Sequence, residues 1–306
     1  MGQWIKAKRM SVFTTIPYGG NQAWVVLGEK DLSDEKMRKL ARDLNPHTDT
    51  AFVFPESTSE ADFHLRFFTG VGEINFSGYA SIATYFALSG ENRLIVEGSK
   101  TVIRQRTKAG IQHVELRVQG DKVTRATIAL TTPKYLDIEV NPSTVAKSLG
   151  LDLEDVTSTE LPFDTISVGF YDFIVPVKTL HTIKKIKPNL SLIDSFCARM
   201  GVNGIVVFCM ETFDAGDTAF VRYFVPSLGL TEESISGASA ASVGCYLIRY
   251  RLIEPSNFSR IIIEQGYLQQ RNSKVYVHVE CTREQIYRVK IGGNALCTFT
   301  GYVLTP

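Results

Sequence analysis

No stretch of the 306-residue sequence reaches the roughly eighteen uninterrupted apolar residues that a bilayer-spanning helix needs, so an α-helical membrane protein is not expected. Charge of one sign is lacking as well. Thirty-three basic residues stand against thirty-two acidic ones, the formal charge is +1, and no run of five like charges occurs. A nucleic-acid surface needs a basic excess or stripe, which the short cluster Lys184, Lys185 and Lys187 does not supply; it reads as a solvated segment. Cysteine is sparse and odd in number. Cys197, Cys209, Cys245, Cys281 and Cys297 all fall in the second half without a CxxC pair, against both a disulfide framework and a thiolate zinc site. The opening MGQWIKAKR lacks the apolar core of a signal peptide, and Lys6 stands where a myristoylation signal wants Ser or Thr. A cytoplasmic protein with neither nucleic acid nor membrane as partner is expected.

What is present is ordinary globular composition, 44% hydrophobic and 21% charged, in a length that suits two domains of about 150 residues better than one core. The most informative feature is an internal repeat. Asp31-Leu32-Ser33, Asn45, the run from Phe52 to Phe54, Arg66-Phe67-Phe68 and the loop from Ser77 to Ser81 return as Asn189-Leu190-Ser191, Asn203, Val206 to Phe208, Arg222-Tyr223-Phe224 and Ser236 to Ala240. The offsets are 158, 158, 154, 156 and 159 residues. Solenoid periods run about 20 to 50 residues, so this spacing points to duplication of a whole domain.

Local patterns fill in each copy. Met37, Leu40, Ala41 and Leu44 share one helical face behind Ser33 as the expected cap, and Ile193, Phe196, Cys197 and Met200 repeat the spacing behind Ser191. The Val-, Phe- and Ile-rich runs that carry Arg66 and Arg222 read as strands. Tyr79 to Leu88 and Ala238 to Leu247 have no charged face, and a helix of that kind belongs inside a domain, surrounded by sheet. Each domain is therefore expected to be a curved sheet wrapped round a buried helix. The turn at Gly120-Asp121 marks an expected passage between domains, Asn141-Pro142 an expected helix start, and the final strand region an expected return to the first domain. The division expected is residues 1–120 with about 294–306, and 121–293.

A buried helix that opens at a Ser-Gly loop presents unpaired N–H groups and the positive end of its dipole. Two such openings make an expected pocket for a small ligand with a carboxylate, held by backbone amides, with Gly78 and Gly237 allowing close approach and Ser77 and Ser236 donating hydrogen bonds. Proton-moving candidates nearby are Asp49, Glu73, Glu232 and Glu233. Glu73 and Glu232 read as structural carboxylates. Arg66 and Arg222 either bind a substrate carboxylate bidentately or pair with such structural acids, and His47 lies two residues before Asp49.

Six segments carry a resemblance: GGNQAWVVL (19–27), NPHTDTAFVF (45–54), RFFTGVGEINFSGYASIAT (66–84), GLTEESISGASA (229–240), QGYLQQR (265–271) and IGGNA (291–295). Together they resemble the phenazine-biosynthesis isomerase-like (PhzF-like) family over nearly the whole chain. The resemblance implies an α+β fold of the diaminopimelate epimerase type: two pseudo-symmetric domains from an internal duplication, each a mostly antiparallel curved sheet around a central helix, with the active site in the cleft between them. It further implies acid/base isomerisation of a small acidic metabolite with no cofactor and no metal, and a homodimer is expected. The family's acid/base glutamate falls on Asp49, its Gly-His on Gly78-Tyr79, its second-loop aspartate on Glu233, and a loop serine on Ala238. Its Gly-Asn matches Gly20-Asn21.

The site is thus expected to comprise Asp49, Glu233 and Tyr79 as catalytic residues, with Asn21, Ser77, Gly78, Ser236, Gly237 and Ala238 binding substrate. The alternatives are a ligand-binding homologue without turnover and a two-base amino-acid racemase using Ser77 and Ser236. The racemase is disfavoured, because an unactivated serine is a poor base.

Overall fold

The computed structural model describes residues 2–28, 32–56, 58–229, 231–283 and 285–306; Asp31 and Leu230, each part of a motif above, lie outside them. The chain divides into two compact units, Met1–Ala129 with Gly292–Pro306, and Leu130–Ile291.

Unit 1 runs β1 (Trp4–Val12), β2 (Asn21–Leu27), α1 (Asp34–Leu44), β3 (Thr50–Pro55), β4 (Phe63–Phe68), β5 (Glu73–Ile74), α2 (Gly78–Gly90), β6 (Lys100–Thr107), β7 (Gly110–Gln119) and β8 (Lys122–Leu130). Unit 2 runs β9 (Lys134–Tyr135), α3 (Pro142–Leu149), α4 (Leu153–Thr157), β10 (Asp164–Ser167), β11 (Tyr171–Pro176), α5 (Leu180–Lys185), α6 (Leu190–Met200), β12 (Gly204–Cys209), β13 (Ala219–Phe224), α7 (Gly237–Arg249), β14 (Ser259–Gln265), β15 (Ser273–Cys281) and β16 (Ile286–Gly293). The last strand, β17 (Ala295–Leu304), pairs antiparallel with β1 in unit 1. The turn at Gly120-Asp121 lies between β7 and β8, which pair with each other, and the second unit begins at Leu130.

The duplication is legible in the strand pairing. In unit 1, β1–β2 is antiparallel, β2–β3 parallel, β3–β4 antiparallel, β4–β6 parallel and β6–β7 antiparallel. Unit 2 repeats that order with β10–β11, β11–β12, β12–β13, β13–β14 and β14–β15. A parallel pair cannot be closed by a hairpin and needs a crossover. The helices supply it: α1 joins β2 to β3, and α5 with α6 joins β11 to β12. The second parallel step of each unit is bridged by α2 or α7.

Those two bridging helices are the centres of their units. Residues 80–85 and 87–89 of α2 are buried, as are 239–248 of α7. α2 lies against β1, β2, β3 and β17; α7 lies against β10, β11, β12, β14 and β15. Small residues make that fit possible: a Cβ added at Gly244 would come within 2.9 Å of Val277 Cγ1. The buried hydroxyls are satisfied locally. Ser81 donates to the Ser77 carbonyl at 2.8 Å, Thr84 to Ala80 at 2.9 Å, and Tyr85 to Gln105 Oε1 at 2.9 Å, while Gln105 Nε2 donates to Ser81 Oγ at 3.1 Å.

The helix starts follow the sequence with two corrections. Met37, Leu40 and Ala41 face the core of unit 1, and Ser33 occupies the cap position of α1, yet its side chain makes no capping hydrogen bond. The cap of α6 is Asn189, which accepts from the Leu192 amide at 3.1 Å; Ser191 lies inside the first turn. Asn141 caps α3 by accepting from the Ser143 amide, with Pro142 opening the helix. No described helix is long and apolar enough to cross a membrane.

A duplicated ion pair braces each loop that leads into the central helix. Arg66 Nε donates to Glu73 Oε1 at 2.8 Å, and Arg222 grips Glu232 through Nε–Oε1 at 3.0 Å and Nη2–Oε2 at 2.6 Å. Arg222 Nη1 also donates to the Ile183 and Ile186 carbonyls. Both carboxylates are therefore structural, and both arginines are engaged by them. The Arg222 pair is the more deeply buried, with side chains 10% and 11% exposed against 19% and 16% for Arg66 and Glu73. Removing one partner of a buried pair strands the other charge. Arg222→Ala is expected to cost about 3–5 kcal/mol and Arg66→Ala about 1.5–3 kcal/mol, read by urea unfolding of the two variants.

Candidate functional site

In unit 1 the chain leaves α1 through Asn45, whose Oδ1 accepts from the His47 amide, and enters β3 through Asp49, whose carbonyl accepts from the Trp24 amide at 3.1 Å. That register holds Asp49 beside the start of α2. The Asp49 backbone N–H donates to the Tyr79 hydroxyl at 2.8 Å, and the Asp49 carboxyl is hydrogen-bonded by Ser77 and Tyr79. Ser77 Oγ meanwhile accepts from the Ala80 amide, capping the helix. Three expected site residues, Asp49, Ser77 and Tyr79, thus form one cluster at the N-terminus of α2, which opens with Gly78.

Burial pushes the Asp49 carboxyl above its ordinary value of 3.8, although the Ser77 and Tyr79 hydrogen bonds pull the other way. An acid raised in this manner exchanges a proton closer to neutrality than a solvated one. Thr48 Oγ1 and Thr50 Oγ1, on either side of Asp49, are buried without a hydrogen-bond partner among the described residues. Asn21 opens β2, and its Oδ1 accepts from the Gln22 amide at 3.0 Å. The preceding Gly20 has φ +60°, and a Cβ there would stand 1.9 Å from the Val12 carbonyl oxygen, so only glycine fits.

Unit 2 builds its counterpart around the loop from Glu233 to Ser239. The Glu233 amide donates to the Tyr223 carbonyl at 2.9 Å. Gln265 then braces the loop from within, donating Nε2 to the Glu233 carbonyl at 2.8 Å and accepting from the Ser236 amide at 3.3 Å. Ser236 caps α7 by accepting from the Ser239 amide at 3.2 Å; Gly237 and Ala238 form the half-buried first turn, and Glu233 is half-buried on the approach. Glu233, Ser236, Gly237 and Ala238 therefore share one loop. His47 is exposed.

Sequence reasoning did not single out what lies beneath that loop. Asp172 on β11 is wholly buried, and its Oδ2 accepts from the Ser239 hydroxyl at 2.8 Å. The Tyr223 hydroxyl faces this carboxyl and itself accepts from Asn203 Nδ2 at 2.8 Å, while Asp172 Oδ1 is buried without a hydrogen-bond partner among the described residues. Burial raises the Asp172 carboxyl to about 7, against the opposing pull of the Ser239 and Tyr223 hydroxyls. The signal available was one acid in the otherwise apolar strand YDFIVP; Gln265 had its place in the motif QGYLQQR.

One carboxylate cluster among the described residues has the proximity of metal ligands. Asp214, Asp217 and Glu264 bring oxygens within 4.8 Å of one another. Lys274 already pairs with two of its members, with Nζ 2.8 Å from Asp214 Oδ2 and 2.5 Å from Asp217 Oδ2, while Glu264 accepts from the Phe213 and Asp214 amides. The cluster is accounted for by the protein's own groups.

Comparison with known proteins adds an independent line. The family model described as "Phenazine biosynthesis-like protein" matches residues 10–301. An uncharacterized isomerase of Clostridium acetobutylicum is 28% identical over 290 residues, covering 94% of each chain. The trans-2,3-dihydro-3-hydroxyanthranilate isomerase of Pseudomonas aeruginosa is 25% identical over 288 residues, covering 93% of this chain and 94% of its own. Among solved structures, a Bacillus anthracis phenazine biosynthesis protein of the PhzF family superposes with a TM-score of 0.86 at 27% identity, covering 99% of both chains.

The raised Asp49 carboxyl has a consequence for stability. The folded protein keeps a proton that the unfolded chain releases near 3.8, so the stabilisation from that proton is full below 3.8 and is lost as pH rises through the higher folded value. Asp49→Asn, neutral at every pH, removes this loss. Thermal unfolding from pH 4 to 8 should show the variant melting above the unmodified protein at pH 8, with the gap closing towards pH 4.

Proposed function

The chain belongs to the phenazine biosynthesis-like protein family, in which relatives are named isomerases, and on that premise we propose that it is an isomerase moving a proton, without a cofactor, on a small carboxylate-bearing metabolite. The observation that carries the proposal is the Asp49 carboxyl, raised by burial and held by the Ser77 and Tyr79 hydroxyls at the head of α2. In the proposed reaction the Asp49 carboxylate takes a proton from a substrate carbon. The electron pair of the broken C–H bond passes into the substrate's unsaturated system, and protonated Asp49 returns the proton at another carbon, so no redox partner is needed.

Tyr79 orients the acid/base group through the two bonds it shares with Asp49. In unit 1, Ser77, Gly78 and Asn21 are assigned ligand contacts; in unit 2, the first-turn amides at Gly237 and Ala238 are assigned an anionic group of the ligand, with Ser236 shaping that turn as its cap and Glu233 orienting or assisting. The two-base racemase is the poorer reading. The hydroxyls it needs, on Ser77 and Ser236, are both occupied as helix caps.

The first substrate to try is trans-2,3-dihydro-3-hydroxyanthranilate, named for the Pseudomonas aeruginosa relative, followed by a metabolite extract, both in deuterated water. The expected outcome is an isomerised product carrying solvent deuterium, formed at least about 100-fold more slowly by Asp49→Asn and about tenfold more slowly by Glu233→Gln. A metabolite that co-purifies with the protein and stays unchanged would replace this reading with a binding protein. We propose a cytoplasmic homodimer as the working form. Its support is an apolar face where Trp4, Tyr302 and Leu304 project from paired β1 and β17, 63%, 62% and 51% exposed. Light scattering should give twice the 34.1 kDa chain mass, reduced to the chain mass by Tyr302→Glu with Leu304→Glu.

A further inference from the structure

Asp172 is a fully buried carboxyl that the proposed reaction does not use. It is wholly enclosed, and no basic side chain pairs with it among the described residues. The groups that face it are the Ser239 hydroxyl from α7, the Tyr223 phenol from β13, itself held by Asn203, and the Cys197 thiol from α6. Burial pushes both the phenol and the thiol up, so neither supplies a counter-charge, and Asp172 stands as the one acid of the group. Retaining a carboxyl in such a place is costly unless it stays neutral or does something.

The Tyr223 and Ser239 side chains that face it belong to residues holding the two ends of one loop. Tyr223 takes the Glu233 amide on its carbonyl, and Ser239 sends its amide to the Ser236 cap. A single carboxyl therefore reaches both ends of the segment that contains Glu233, Ser236, Gly237 and Ala238. We propose that Asp172 is a positioning residue that holds the Glu233-to-Ser239 loop closed while it carries a proton, and releases the loop when it ionises.

The reason is solvation. A protonated Asp172 accepts from Ser239 and lies against Tyr223 without a net charge; an ionised one needs water, which it reaches only if the first turn of α7 opens. The closed loop binds the proton more tightly than the open one, with the folded value at about 7 against an ordinary 3.8. The opening equilibrium therefore rises by up to tenfold per pH unit between those values and levels off above the higher one. The inference deepens the reading of this loop as a ligand-holding element, since an ionised Asp172 would also set a negative charge under the helix end assigned to the ligand's anionic group.

Hydrogen–deuterium exchange tests it with no ligand present. Protection of the Ser239 and Ala240 amides, corrected for the intrinsic pH dependence of exchange, should fall by up to tenfold per unit from pH 4.5 to about 7 and then level off. In Asp172→Asn it should be flat, while amides of β14 behave alike in both proteins. Ser239→Ala removes one donor to the carboxylate, so its levelling point should move to higher pH; this variant decides the matter if Asp172→Asn does not fold. A flat profile in the unmodified protein, a slope that survives Asp172→Asn, or an unmoved levelling point in Ser239→Ala would overturn the proposal. Because exchange needs no substrate, failure of the isomerase assay leaves this result standing, and the reverse also holds.

Discussion

Everything in this molecule depends on burying, in each unit, a helix uncharged along its enclosed length, with its N-terminus intact. α2 and α7 are covered by strands of their own units over most of their length and only half-buried in their first turn, so donors there have limited access to water and need partners from the protein or a ligand. Ser77 and Ser236 each satisfy one donor, through the Ala80 and Ser239 amides. The same requirement explains the small residues along both helices, where strands approach closely, and the hydroxyls of Ser81 and Thr84, which bond back to their own helix. It also explains why each approach loop is pinned by an arginine–glutamate pair: a loop that must deliver a cap within hydrogen-bond reach cannot wander.

On that shared scaffold the two units carry different acids. Unit 1 places Asp49 beside the cap, bonded to Ser77 and Tyr79. Unit 2 places Asp172 beneath the cap, bonded to Ser239, and leaves half-buried Glu233 on the loop. In both Asp49 and Asp172 the cost of burial exceeds what the hydroxyl donors return, and the carboxyl rises. Glu73 shows the opposite outcome. With Arg66 at 2.8 Å, its carboxyl is held below the usual range. A cationic partner thus separates the bracing carboxylate, held low, from the acids that burial raises.

Membership of an isomerase family and a shared fold do not by themselves assign a reaction. At the positions that resemble the family's functional motif this chain has Asp49, Tyr79, Glu233 and Ala238, so a chemical argument has to start from the groups present. Of these four, Asp49 is the one with a raised carboxyl and hydroxyl partners, and the proposed proton transfer rests on it for that reason.

The sequence by itself determined the duplication, the uncharged central helices, the Ser-Gly openings, the cap at Asn141 and the family. These are carried by order, spacing and residue type along the chain, which periodicity and capping rules read directly. Local chemistry was less decisive where two residues compete for the same capping position. Asn189, two positions ahead of Ser191, took the cap of α6 because it is the residue that precedes the first helical turn. The sequence already marked Glu73 and Glu232 as structural carboxylates; tertiary structure decided which partners make them so, since Arg222 meets Glu232 across 10 residues and Asp49 meets Tyr79 across 30. Gln265 reaches Glu233 across 32 residues, and Asp172 reaches Ser239 across 67. Such contacts exist only once parallel strands have closed over the helix, and the shift of a buried acid depends on that enclosure rather than on its neighbours in the chain.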